Sequence, residues 1–404
     1  MKRQILMEYR KVWNKVAVVA VIAMFVMVTL HLLIYLNLQY RSINSRGEIV
    51  EGLASYRALK ETSKELEGIM DGEYIQNLIT SYNDSFDKAY LAEHKGFLGT
   101  GGMTKYMVPN YFINYVYFGP YMSNGNNKVG LDYDFLESEE VFYAAYKETV
   151  KEHLAFENQY TNMYTGEQLL ILNKKVDDLK TPFTTGNYQG LANLRAWYIM
   201  DYSLVFFALA FGLAGLFSKD NAGGVTELTL SSKYGRKKNL DARWIAGNLF
   251  TAGVYLIYLG TQLVVNGLIG TFDGWNMSAQ MMWNTCLYNM SFGTGLLIMF
   301  TGGLFGALVV GNIVMLVSMK MKNMKLAAVL SVIAVAMLTR TESMYGIRAY
   351  LSPMNFEKDH LVTTYMFMGN LAIPWLAATF FLTALYVAIL YIVTRLSYKK
   401  YHIN

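Results

Sequence analysis

FSKDNAGGVTELTLSSKYGRKKNLDAR, residues 217–243, lies between two long apolar runs, and its reading decides the fold. It is short, basic and broken by glycine. If the flanking runs cross a bilayer, Lys219, Lys233, Arg236, Lys237, Lys238 and Arg243 place this connector in the cytoplasm, where loops are enriched in Lys and Arg. Gly223 and Gly224 break the chain, and the VTELTLSS that follows predicts about two turns of helix ending at Gly235. The expectation is a small lever at residues 222–235, lying across the membrane face within reach of a cytosolic partner.

Composition supports the bilayer. At 404 residues, 53% of them hydrophobic, the chain belongs with polytopic membrane proteins and not with soluble enzymes. Residues 42–195 carry 21 acidic and 14 basic side chains, whereas the pieces assigned to the cytoplasm carry 17 Lys or Arg and only 4 Asp or Glu. Such asymmetry reports orientation and attraction to anionic lipid, not nucleic-acid binding. Cys286 is the single cysteine, so no internal disulfide braces the polar segment.

Working back from the connector, a second span is expected at about 197–217, opening on the interfacial pair Trp197 and Tyr198. Before it, residues 42–195 form an insertion large enough to be a domain, predicted to be extracellular and mostly helical. Helical spacing runs through Ile49, Leu53, Tyr56 and Leu59, then through Tyr74, Leu78, Ile79 and Tyr82, with Asp71-Gly72 as break and N-cap. A further helical region covers 135–180. Between them, residues 96–127 resist a helical reading; Tyr111, Phe112, Tyr115, Tyr117, Phe118 and Tyr121 serve either as a stacking platform or as the insertion's own core, and cores are where aromatics usually go. The first span, 16–38, is about 20 residues long, enough to cross and too long for a cleaved signal peptide. A basic amphipathic lead at 1–15 precedes it, with Ile5, Leu6, Tyr9 and Trp13 on one face.

Past the connector, a third span at 244–270 carries Gly253, Gly260 and Gly267 at seven-residue intervals, close to two turns, which predicts a stripe for helix packing. The fourth, 288–319, holds a G-x-x-x-G face at Gly302 and Gly306. A short run at 326–340 and a full-length one at 366–394 complete the count, and Arg395, Lys399 and Lys400 form a basic tail. The fold class expected is mainly α, a six-helix transmembrane domain with a large, mostly helical extracellular domain between its first and second spans. Every basic cluster then falls on one side, giving a multi-pass plasma-membrane protein with both termini cytoplasmic.

Catalytic chemistry is not legible. His31, His94, His153, His360 and His402 are scattered without metal-ligand spacing, and the chain has no G-x-x-x-x-G-K-[ST] phosphate loop. No cofactor is expected in this chain. Asp201, with Arg195 as its expected partner, and Arg340 with Glu342 read as charges at span ends that set depth, so nothing at mid-membrane suggests ion coupling.

The connector resembles that of ABC-2 type permeases. The resemblance rests on a span exit followed by Gly223 and Gly224, then Glu227, Leu228, Leu230, Ser231 and Ser232, then Gly235 and Arg236 before the next span. It departs from that pattern where Lys219 precedes Asp220. The likeness implies that this segment is a coupling helix docking on a separate cytosolic ABC ATPase, which would hold ATP and magnesium. It also implies a second permease copy or a paralogue in the bilayer, and a last outer connection, 345–365, folding as short helices that dip back. The expected function is export of a peptide or another amphiphile, including antimicrobial-peptide export or immunity. The alternative is a receptor or scaffold whose outer domain senses and whose spans relay a signal without transport. A stoichiometric ATPase in the purified complex distinguishes the first; a kinase or cell-wall enzyme in its place, the second.

Overall fold

Asn14 separates the first two helices. Its Oδ1 accepts from the amides of Val16 (3.0 Å) and Ala17 (3.4 Å), capping α2 (Lys15–Gln39) directly after α1 (Lys2–Val12) ends. The computed structural model describes residues 1–39, 41–83, 102–103, 112–113, 115–116, 138–187, 189–224, 238–269, 272–339, 351–356, 358 and 363–399. Along α2 the buried positions are Ala17, Val21, Met24, Val28 and Leu32, the narrow stripe of a helix packed on one side. Exposed apolar side chains cover much of the remainder, as at Val19, Ile22, Phe25 and Leu30, a surface suited to lipid. On α1 the packed face runs through Ile5, Glu8, Tyr9 and Val12, and Leu6, expected on that face, sits on the exposed one.

The polar insertion is mostly helical, with α3 (Gly52–Ser63), α4 (Gly72–Asn83), α5 (Glu139–Thr161) and α6 (Gly166–Asp177). Asp71 caps α4 by accepting from the Tyr74 amide at 2.8 Å. The region expected to be one helix over 135–180 is two, because Asn162 turns left-handed (φ 47°) and Thr165 opens α6 with a capping box to Gln168. Small sheets also appear. β1 (Arg41–Ile43) pairs antiparallel with β2 (Ile49–Glu51), Ser42 opposite Val50, and parallel with β4 (Gly102–Met103). β3 (Gly68–Ile69) pairs antiparallel with β5 (Thr184–Thr185). Strands of two or three residues are too short for period-two alternation to show in the sequence.

The insertion has its own aromatic core. Phe112 packs on Tyr146 (5.3 Å between centroids), Tyr146 on Phe183 (5.1 Å), and the Tyr143 hydroxyl donates to the Met70 carbonyl at 2.7 Å while accepting from the Phe183 amide at 3.0 Å. Burial there holds the Tyr143 phenol well above its usual range. Phe112 and Tyr115 thus belong to the core; Tyr111, Tyr117, Phe118 and Tyr121 lie outside the described residues.

In the bundle, α7 (Gln189–Asp201), α8 (Ser203–Leu213) and α9 (Gly215–Ala222) follow one another with only Tyr202 and Ala214 between, both helical in φ and ψ. They make one rod, starting at Gln189 instead of 197. α10 (Leu240–Ile269), α11 (Phe292–Lys320), α12 (Met324–Thr339) and α13 (Trp375–Lys399) follow. Among the described residues, five helical segments are long and apolar enough to cross a membrane, consistent with a membrane protein: Lys15–Ile34, Ser203–Ala222, Leu240–Ile269, Phe292–Lys320 and Trp375–Tyr398.

The fifth run, expected to be short, is so: among the described residues α12 has 16, about 24 Å of helix against a hydrocarbon core of about 30 Å. The last span does not begin at 366. Residues 365–374 are a hairpin of β6 (Tyr365–Met368) and β7 (Leu371–Pro374), turning through Gly369 at φ 62°, and the helix starts at Trp375. An apolar run cannot by itself distinguish a strand pair from a helix.

α11 is the central helix, touching α8, α9, α10, α12 and α13. Its described neighbours include the short segment 351–356, which reaches the middle of α11: a β-carbon on Gly306 would lie 2.4 Å from the Pro353 carbonyl oxygen. Tyr386 donates to the Leu351 carbonyl (2.7 Å) and Trp375 Nε1 to that of Phe356 (3.4 Å). Irregular backbone at this depth is tolerated only when protein covers its polar groups, which these bonds do.

Candidate functional site

The connector is rooted in α9 and α10, and polar residues at its roots are buried, as Ser218, Asn239 and Arg243, or half-buried, as Asp220, Asn221 and Asp241. Gly223 ends α9, its amide donating to the Lys219 carbonyl at 3.1 Å, and Gly224 takes φ 70°, a conformation that costs glycine nothing and other residues a good deal. Glu227, Leu228, Leu230, Ser231, Ser232, Gly235 and Arg236 lie outside the described residues.

Arg243, in the first turn of α10, is 1% exposed. Its Nη2 pairs with Asp220 of α9, its Nε lies 3.5 Å from Glu8 Oε2 of α1, and its guanidinium carbon sits 5.5 Å from the Phe217 ring centre. Lys11 closes the group with a 2.8 Å bond to Glu8. Two cations face two carboxylates, so the cluster is neutral as a whole, and burying charge is tolerable only when paired in this way. The bridge joins both roots of the connector to the lead helix.

Around it the same end is clasped by hydrogen bonds. Ser318 of α11 accepts from the amides of Phe217 (3.1 Å) and Ser218 (3.3 Å) and donates to the Ala214 carbonyl (2.7 Å). Asn221 donates to the carbonyls of Met319 (2.9 Å) and Met321 (3.0 Å). On the other root, Asn239 donates to Tyr398 (3.3 Å) and Asp241 accepts from Tyr391 (2.6 Å), both on α13. Displacing the connector therefore loads α1, α11 and α13 together.

Deeper in the bundle, four tyrosines form a dry polar layer. Tyr202 and Tyr255 donate to the carbonyls of Gly303 and Phe300, Tyr258 to that of Tyr198, and the hydroxyls of Tyr198 and Tyr255 lie 2.9 Å apart. The α11 glycines make room: a β-carbon on Gly303 would fall 1.8 Å from the Tyr198 oxygen. Gly306, expected at a packing face, meets Pro353 and Tyr202, and Gly302 is buried. The α10 stripe does otherwise. Among the described residues, nothing lies within 4 Å of a β-carbon on Gly260, one on Gly253 meets the Tyr9 hydroxyl at 3.8 Å, and Gly267 faces Phe272 of the following loop. The glycine of α10 that admits a neighbouring helix is Gly247, against Met315 of α11 and Leu216 of α9. Seven-residue spacing marks a stripe but not which stripe is covered.

Asp201 also departs from expectation. Its Oδ1 meets His31 Nδ1 of α2 at 2.7 Å and its Oδ2 lies 3.4 Å from Gln262 Nε2 of α10, so it joins three helices. The histidine was legible only as a solitary polar residue near the end of the first apolar run. Glu8 and Arg243 left a clearer trace, as charges on otherwise apolar helical faces.

Compared with known proteins, the chain matches no protein-family model, no curated protein and no solved structure.

Proposed function

We propose that this chain is the membrane subunit of an ATP-driven exporter, moved by a separate cytosolic ATPase that grips the connector at residues 222–235. The observation that supports the reading is the buried Arg243–Asp220–Glu8 bridge, which makes both roots of the connector one unit with α1. A flexible surface loop has no use for a buried guanidinium; a lever that transmits force does. In this reading Glu227 and Arg236 make ionic contacts with the ATPase, Leu228 and Leu230 fill an apolar groove on it, and two permease halves rearrange against each other as ATP is consumed. The cargo class is a peptide or other amphiphile, handled with the help of the large insertion.

Purification of the chain with its cellular partners tests this first: an ATPase is expected in stoichiometric amount. Glu227→Lys should then lower ATPase stimulation in liposomes severalfold while the permease still purifies as a folded species. Unchanged stimulation removes the connector from the contact. A kinase or a cell-wall enzyme in place of the ATPase favours the relay instead.

A further inference from the structure

A groove of about 620 Å³ runs between α2 and α8, and its walls are almost wholly apolar. Val19 and Met27 of α2 form one wall, Phe207 and Phe211 of α8 the other, and Ala23 opens the space between them. Exposed Lys15 stands at one mouth.

The groove has the length of one leaflet. From Lys15 to Met27 the helix rises about 18 Å, against about 15 Å for half a hydrocarbon core. Beyond Met27 the way is shut: one turn further along α2, His31 binds Asp201 at 2.7 Å and draws α2 onto the rod of which α8 is part. A transmembrane helix from a neighbour would need the full depth and would run into this bridge. An acyl chain ends at mid-bilayer and does not.

The charge at the mouth selects the headgroup. Lys15 ends the groove on the side of α1, which carries Lys2, Arg3 and Arg10. We propose that the groove between α2 and α8 holds one acyl chain of an anionic phospholipid, whose phosphate is bound by Lys15. The bound lipid would complete the packing of α2, which the protein alone covers on one narrow stripe. The site does not depend on the connector or on any ATPase.

The test is lipid analysis of the full-length protein after extensive detergent washing, by mass spectrometry with phosphate quantification. About one phospholipid per chain is expected, enriched in anionic species over the source membrane. Lys15→Gln should lower the anionic preference about fivefold, the equivalent of about 1 kcal/mol per basic side chain at a lipid surface. Ala23→Phe, a change at an exposed position, should displace the lipid while the size-exclusion profile stays that of the folded protein. Absence of retained lipid from the unmodified protein, or retention unchanged in both variants, would overturn the proposal. So would efficient disulfide dimerisation of Val19→Cys in native membranes, which assigns the groove to a second copy.

Discussion

Arg243 shows how much one side chain commits the chain to. Removing the guanidinium alone leaves Asp220 without its cation and Glu8 with only Lys11, and breaking a buried pair from one side costs about 3–5 kcal/mol. Arg243→Met should therefore lower the yield of folded protein and its melting temperature in detergent. Asp220→Asn should do less harm, because Glu8 still pairs with the arginine. The triple change of Glu8→Gln, Asp220→Asn and Arg243→Met removes every buried charge at once, and the fold should return, since uncharged replacements of buried ion groups are often neutral. If the bridge transmits force, the refolded triple variant keeps its stability and loses ATPase stimulation. Recovery of both would make the bridge structural only.

Cys286 makes a second residue-scale case. It lies in the loop between α10 and α11, fully buried, and burial pushes its thiol up to about 12. The thiolate is the reactive form, and burial holds Cys286 as the thiol at neutral pH. Ellman's reagent should find no reactive thiol in the folded protein and one after denaturation. The linkage has a definite sign: the unfolded thiol ionises from about pH 8.5 and the folded one does not, so stability falls as pH rises from there towards 12.

At the scale of elements, α11 and α10 use glycine for different purposes. A β-carbon on Gly303 collides with Tyr198, so Gly303→Ala should cost about 1–3 kcal/mol, the usual range for overpacking. Tyr198→Phe removes the oxygen that it strikes and should recover part of that loss. Gly260→Ala meets nothing and should be neutral, or stabilising by up to about 1 kcal/mol through helix propensity. Melting curves of Gly303→Ala, of Gly303→Ala with Tyr198→Phe and of Gly260→Ala separate these cases. The same contrast explains what the sequence could disclose. Length and apolarity located α2, α10 and α11 to within a few residues, because crossing a bilayer constrains both. Which face each helix turns inward depends on partners far along the chain, and no spacing of Gly253, Gly260 and Gly267 encodes that the covering side chains belong opposite Gly247 instead. The β6–β7 hairpin was hidden for another reason: Met366 to Pro374 is as apolar as the helix after it, and only Gly369-Asn370 marks the turn. The connector's expected helix lies outside the described residues, and the bridge at its roots could be seen only with α1 and α9 in place.

Across the whole molecule, the insertion is bound to the end of the bundle opposite the connector. Thr184 and Ser278 exchange two 2.8 Å hydrogen bonds, Tyr146 donates to the Asn284 carbonyl at 2.8 Å, and Lys60 pairs with Asp273 at 3.0 Å, all on the α10–α11 loop. The β6–β7 hairpin adds a second attachment, where Gln168 donates to the Gly369 carbonyl (2.7 Å) and Asn370 to Glu167 (2.6 Å). α10, α11 and α13 thus run between the clasp at the connector and these contacts, so a shift of the helices at one end must either carry the insertion or slide beneath it. The exposed Glu167–Asn370 contact is the weaker attachment and the place for sliding, since surface polar pairs contribute little to stability. With Cys286 unreactive, Glu167→Cys with Asn370→Cys can be oxidised without replacing the native cysteine. The disulfide should form under mild oxidant and leave the melting temperature at or above its starting value; if the chain is the exporter subunit proposed above, it should also suppress the ATPase stimulation reversibly, with reductant restoring it. Full activity in the oxidised protein would mean that the insertion and α13 travel as one body, and would move the sliding surface to the contacts of the α10–α11 loop.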